Sequence, residues 1–413
     1  LRHRASAPVV TALATALLAA GCTTGQPTTS AGSSSTSQSS QSSASSTPSA
    51  APTTTGGQTA QTIPAASCVD TTLASLSPQQ KAAQLIMVAQ QPNTGDAVTS
   101  AISDGDAGAV ILLGKWQGND AVSAAVKDID ALSSATAGIG IWVATDQEGG
   151  QVQKLKGSGF STMPSALEQA AMSPDELTAE ATTWAKELAA AGVDVNLAPV
   201  ADVVPTSIGT ANAPIGQYDR QYGATAAAVS PPMLAFAAGM TAGGVLPTAK
   251  HFPGIGRITG NTDETAVGID DPAMTASDPD LAPFADAIAA QIPLVMISSA
   301  RYPQLDPNAA ALFSEPIITG LLRQQMGFGG IVISDDVGSA AAVADVPVPE
   351  RATRFVAAGG DIVLTAEPSQ APQMNDALVA AASADAAFAA KLDAAVGRVL
   401  TQKDAGGLLP CSG

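Results

Sequence analysis

Gly330-Ile331-Val332-Ile333-Ser334-Asp335-Asp336 is an uncharged apolar run that ends abruptly in two carboxylates. An apolar stretch of this kind, with no polar alternation, reads as a parallel strand covered on both faces. Its chemistry is displaced to the C-terminal tip. Seven further runs repeat the pattern, at residues 85–88, 109–113, 141–144, 193–197, 244–249, 294–297 and 361–364. Helical patterns separate them. In one, Ser173 caps, Pro174 takes the first helical position and Glu176 completes a capping box, while Leu177, Ala181, Trp184 and Leu188 line one face up to Gly192. Ser77-Pro78 opens another helix in the same way. Strand–helix alternation repeated eight times predicts an α/β fold, a (β/α)8 TIM-type barrel forming a single domain over residues 67–413.

The whole chain has 413 residues, with 36 acidic against 18 basic side chains and a formal charge of -18. No basic surplus exists to displace counterions, which argues against nucleic acid as a partner. Hydrophobic residues make up 46% and charged ones 13%, enough to build a large core. The N-terminus reads differently. Arg2 and Arg4 precede an apolar run over residues 8–20 that ends in Leu18-Ala19-Ala20-Gly21-Cys22. The run is short of the roughly 20 apolar residues a membrane-spanning helix needs. It predicts an export signal over residues 1–22, with Cys22 as the lipidated cysteine of a lipoprotein cleavage site. Residues 23–66 carry no charge and are rich in Ser, Thr and Pro. They have too little apolar surface to bury, so a disordered stalk is expected. Cys68 and Cys411 flank the remainder. In an oxidising compartment they suggest a disulfide clasp, with two free thiols as the alternative.

If the fold is a barrel, function lies at the strand tips. Polar residues cluster there: Asp146 to Gln151 after the third run, Asn196 and Asp202 around the fourth, Lys250-His251 after the fifth, Ser298-Ser299 after the sixth, and Asp335-Asp336 after the seventh. A carboxylate at the seventh tip beside cations would stay ionised and serve as a nucleophile. Lys250 and His251 supply such cations. A mixture of Asp, Lys, Arg and His suits a polyhydroxylated ligand. Helix-capping Asp is the plainer explanation for one or two of these residues, Asp336 above all. One histidine outside the export segment and two cysteines expected to pair leave no soft-metal ligand set. Gly254-Ile255-Gly256 lacks the rest of any nucleotide fingerprint, so no cofactor is expected.

Three motifs in this order resemble glycoside hydrolase family 3: Asp146-Gln147-Glu148-Gly149-Gly150-Gln151-Val152-Gln153-Lys154, then Lys250-His251-Phe252-Pro253-Gly254-Ile255-Gly256, then Ser334-Asp335-Asp336. The second run, together with the lack of a following sandwich domain, is similar to the β-N-acetylhexosaminidase branch. The resemblance extends from about Ser77 to Gly407. It implies a retaining exo-acting mechanism on β-linked N-acetylglucosamine, with Asp335 as nucleophile. It also implies that Asp146, Lys154, Arg220, Lys250 and His251 hold the sugar, Arg220 through the segment Asp219-Arg220-Gln221-Tyr222-Gly223.

The departures are equally informative. Members of that branch usually carry an Asp-Ser-His segment on a mobile loop, whose His is the general acid/base. Counting from Lys250, Asn261 falls on that Asp and Asp263 on that His. The chain has two histidines, His3 and His251, and His3 leaves with the export segment. A loop imidazole is therefore impossible. The candidates for the acid are Asp263, its neighbour Glu264, or no protein acid at all. An acid there must stay protonated until needed, which burial or the nearby Asp335 charge would arrange.

Two rivals share these features. A sugar-binding pseudoenzyme lipoprotein of the cell envelope would keep the pocket without turnover. A lipid-anchored solute-binding protein would share the export segment and stalk, but should divide into two lobes. The expected partners are carbohydrate, in N-acetylglucosamine-containing cell-wall fragments, and the membrane through a lipid anchor, with the chain itself monomeric. The expected location is the outer face of the cell membrane, with partial release to the wall or medium.

Overall fold

The computed structural model describes residues 67–411. The export segment, Cys22 and the stalk lie outside these residues. Eight strands form the ring: β1 (Ile86–Gln90), β2 (Ala109–Leu112), β3 (Trp142–Thr145), β4 (Val195–Asn196), β5 (Leu246–Phe252), β6 (Leu294–Ile297), β7 (Ile331–Ser334) and β8 (Val363–Thr365). They run in chain order around the sheet, and β8 returns beside β1. Every registered pair is parallel. An Ile333–Ile362 bridge joins β7 to the approach of β8. Helices Gly95–Ser103, Asn119–Asp130, Pro174–Ala190, Ala226–Ala242, Ala282–Ala289, Pro316–Gln325 (wound as a π-helix), Val348–Ala358 and Ala371–Ala384 follow the strands in turn. The chain is a (β/α)8 TIM-type barrel.

Local chemistry accounts for the pieces. β2, β3, β6 and β7 are buried at every residue, as their unbroken apolar runs require. β4 is shorter than the run at 193–197 suggested, although the Asp194 and Leu197 N–H groups on either side donate to the Val143 and Thr145 carbonyls of β3 at 2.8 and 2.9 Å. The chain still follows β5 there, with Thr248 N–H donating to the Ala198 carbonyl at 2.8 Å. β5 is longer than expected and carries Lys250 and His251 inside the strand. In helix Pro174–Ala190, Ser173 caps the Glu176 N–H and Leu177, Ala181, Trp184 and Leu188 are buried. The reciprocal Glu176 bond is absent, so the expected capping box is half made: the exposed carboxylate gains as much from water. Helix Ala226–Ala242 packs closely on this helix through Gly239 and Gly243. A Cβ there would lie 2.5 and 2.3 Å from those of Ala181 and Ala185.

The floor of the barrel is built by the last helix, Ala386–Ala405. Lys403 is fully buried and donates to Gln84 Oε1 at 2.8 Å and the Gly108 carbonyl at 3.0 Å. Asp361, also buried, accepts from Arg323 at 2.6 Å and Arg398 at 2.7 Å. Cys68 and Cys411 are joined, with Cα atoms 5.8 Å apart. Close by, the Leu408 carbonyl accepts from Gly140, just ahead of β3, at 2.8 Å.

Candidate active site

The C-terminal strand tips open into a cavity of about 420 Å³, lined among others by Asp146, Lys154, Arg220, Lys250, His251, Asp263 and Asp335. After β3, Gln147–Gly149 and Val152–Gln153 form a small antiparallel pair. Its turn needs glycine: Gly149 and Gly150 have φ of 107° and 53°, and a Cβ on Gly149 would lie 2.1 Å from the Pro164 carbonyl. The Gln147 side chain donates to the Leu155 carbonyl at 2.8 Å and accepts its N–H at 3.0 Å. These bonds fix the returning chain, and with it Lys154. Among the described residues, no hydrogen bond or ion pair engages the Lys154 ammonium.

The opposite wall is an ion network. Lys250, 2% exposed, reaches Asp146 Oδ1 and Glu148 Oε1, both at 2.7 Å. Arg220 forks onto Glu148, Nε to Oε2 at 2.8 Å and Nη2 to Oε1 at 2.7 Å, and donates through Nη1 to the Pro214 carbonyl. Burial pushes the Glu148 carboxyl up, but Arg220 and Lys250 outweigh it and hold it well below the usual carboxylate range. Burial likewise works against the Lys250 ammonium, and Asp146 and Glu148 reverse that. Glu148, Arg220 and Lys250 therefore stay charged and mutually paired across neutral pH. His251 Nδ1 lies 2.7 Å from Asp202 Oδ2.

Asp335 and Asp336 end β7 and serve differently. The Asp336 carboxylate accepts backbone N–H groups of Gly338 at 2.7 Å, Ser339 at 2.9 Å and Ala366 at 2.7 Å. It ties a turn to the end of β8 and caps no helix, which corrects the expectation for this residue: no helix starts beside it. Asp335 Oδ1 accepts only the Asp336 N–H among the bonds described, at 2.9 Å. Burial raises the Asp335 carboxyl, opposed by His251, that N–H and Lys250.

Above these lies the loop after β5. The Asp263 and Thr262 carbonyls accept N–H groups of Ala341 and Ala342 at 3.1 and 3.0 Å. The buried Asn212 holds the base of the loop, donating to Ile255 and Ile258 carbonyls at 2.7 and 2.8 Å. Its Oδ1 accepts from Ile215 and Gly216, on the segment that leads to Arg220. Asp263 is exposed at the rim; partial desolvation by the surrounding protein, then Asp335 and Asp336, push its carboxyl up to about 6, against Arg220 and His251. No described residue hydrogen-bonds this carboxyl, whereas Asp335, also raised on balance by its burial, accepts the Asp336 N–H. The two carboxyls therefore titrate as a coupled pair.

Glu264 is exposed and forms no part of the cavity wall. Tyr218 lines the cavity. Trp116 is buried against the Leu113 carbonyl instead. Three contributors had no assigned role in the sequence reading: Glu148, Asp202 and Asn212. Glu148 stood in a quoted motif and Asp202 at a strand tip, but their partners are 72 and 49 residues away.

Residues 78–402 match the family described as Glycosyl hydrolase family 3 N terminal domain. A Beta-hexosaminidase of Xylella fastidiosa (strain M12) is 36% identical over 285 residues, which is 67% of this chain and 81% of that protein. A Beta-hexosaminidase of Xanthomonas oryzae pv. oryzae (strain KACC10331 / KXO85) is 34% identical, over 59% of this chain and 72% of that protein. Among solved structures, a Beta-N-acetylhexosaminidase from Beutenbergia cavernae DSM 12333 aligns with a TM-score of 0.78 at 46% identity, covering 80% of this chain and 99% of that one. A glycoside hydrolase family 3 beta-N-acetylglucosaminidase from Paenibacillus sp. str. FPU-7 aligns at 0.70 and 27% identity, over 80% and 63%.

Proposed function

This chain belongs to glycoside hydrolase family 3, and on that premise we propose that it is a retaining exo-β-N-acetylglucosaminidase in which Asp335 is the nucleophile and Asp263 the general acid/base. The observation that carries the reading is the meeting of two carboxyls at one cavity, Asp335 beside Lys250 and a backbone N–H that it accepts at 2.9 Å, and Asp263 raised to about 6 with no described hydrogen-bond partner. Asp335 attacks the anomeric carbon as the bond to the aglycone oxygen breaks, and Asp263 gives that oxygen its proton. In the second half Asp263, now a carboxylate, takes a proton from water. The water oxygen bonds to the anomeric carbon and Asp335 leaves. Asp146, Lys154, Arg220, Lys250 and His251 hold the sugar hydroxyls. Wild-type protein should release nitrophenol from a nitrophenyl β-N-acetylglucosaminide, and Asp335→Ala should abolish this. A fluorinated sugar should add its mass to Asp335. Attachment to any other side chain would remove Asp335 from its role, and neither burst nor adduct would leave a sugar-binding protein.

The substrates in this reading are N-acetylglucosamine-containing cell-wall fragments, met at the outer face of the cell membrane. Its support is the segment 1–22 with Arg2, Arg4 and Cys22. Labelled palmitate should enter the full chain and fail to enter Cys22→Ser; equal labelling of both would reject the anchor.

A further inference from the structure

Asp202 takes no part in the reaction above, and yet it is the best-enclosed carboxylate near the cavity. It is 0% exposed and is not among the cavity-lining side chains. All its described bonds run to the segment that carries His251. Oδ1 accepts the Ile255 N–H at 2.8 Å and the His251 N–H at 3.3 Å, and Oδ2 faces His251 Nδ1 at 2.7 Å. A carboxylate only accepts hydrogen bonds, so the proton between these two atoms belongs to Nδ1. The His251 side chain is 5% exposed and borders the cavity. With Nδ1 engaged, the remaining polar ring atom is Nε2.

We propose that Asp202 is a positioning residue that keeps a proton on His251 Nδ1 and so presents Nε2 alone to the sugar. The physical reason is general: the partner of one ring nitrogen decides what the other can do. A neutral imidazole held this way offers a lone pair at Nε2 to a sugar hydroxyl. Rotated or in the other tautomer, it would offer an N–H, which the hydroxyl could meet only as an acceptor, reversing the direction of that bond. The two backbone bonds to Oδ1 fix the carboxylate itself, so the ring is aligned before any ligand arrives. The effect on turnover rests on the glycosidase reading; the placement of the proton does not.

The test uses the full chain, whose imidazoles are His3 and His251. A His3→Gln background leaves one, readable by long-range ¹H–¹⁵N correlation without further assignment. Above its titration, His251 should show the pattern of an imidazole protonated at Nδ1. An Nε2-protonated pattern overturns the proposal, and this measurement stands even if no variant folds. Asp202→Asn keeps the shape and leaves an oxygen for the Ile255 N–H, but turns an amide N–H toward Nδ1. The proton should then move to Nε2. The value of kcat/KM for nitrophenyl β-N-acetylglucosaminides should fall at least about tenfold, equally for good and poor leaving groups. A merely structural role would move stability and leave the tautomer alone. A moved tautomer with unchanged kcat/KM overturns the proposal. A wild type protonated at Nδ1 that releases no nitrophenol supports the placement of the proton and rejects the glycosidase reading instead.

Discussion

Asp263 is the acid in the proposed reaction, a carboxyl raised to about 6 by its surroundings. Replacing it with Asn should cost about 10²- to 10⁴-fold in kcat/KM for alkyl or sugar leaving groups. A dinitrophenyl glycoside, whose leaving group needs no proton, should scarcely notice. A uniform loss across leaving groups would take Asp263 out of the role. The acid works protonated, so wild-type kcat/KM for a poor leaving group should fall as pH rises through about 6. With Asp263→Asn that limb should vanish. Asp335, Lys250 and His251 were legible in the sequence because each stands in a motif at the end of an apolar run, and Arg220 only through the resemblance of its segment. Glu148 was visible as a letter and opaque as a role. Its meaning lies in Arg220 and Lys250, which reach it from other elements and convert a buried carboxylate from a liability into the hub of the wall. Glu264, adjacent in the chain to the chosen acid, shows the opposite limit. Sequence neighbours on an irregular loop need not face the same way.

At the scale of the element, the eight strands were readable because burial on both faces demands unbroken apolar runs, a demand independent of distant partners. Their ends were less so. β4 shrinks to two residues and β5 extends through Lys250 and His251, because strand ends are set by pairing with neighbours that the run itself does not reveal. The loop after β5 was least legible of all. It has no period to read, and its shape comes from tertiary bonds. Asn212 spans it to the segment that leads to Arg220. At its far side Arg257 is held by Asp271, Asp278 and Asp280 at 2.8 to 2.9 Å. The loop is bonded to other segments through Asn212 and through Ala341 and Ala342, and to itself through Arg257.

For the molecule as a whole, stability and function occupy opposite ends. The buried Lys403 has its ammonium pushed down to about 7 by burial, against the opposing pull of Asp194. The unfolded chain keeps that proton up to the ordinary lysine range, whereas the folded chain releases it near 7. Between these values the unfolded state binds more protons, so stability should rise with pH, by roughly 2 kcal/mol from pH 7 to pH 9. Urea midpoints at the two pH values would measure it. Lys403→Met should flatten the rise whatever its absolute stability, and an equally steep rise in the variant would place the titration elsewhere. The Cys68–Cys411 bond gathers both ends of the described chain beside Gly140, at the side from which β3 enters the ring. A domain or bead joined directly at Cys68 or Cys411 would therefore sit on the side of the barrel away from the cavity. Glycans could still diffuse in from the open side, and tethering would cost the catalyst nothing in access.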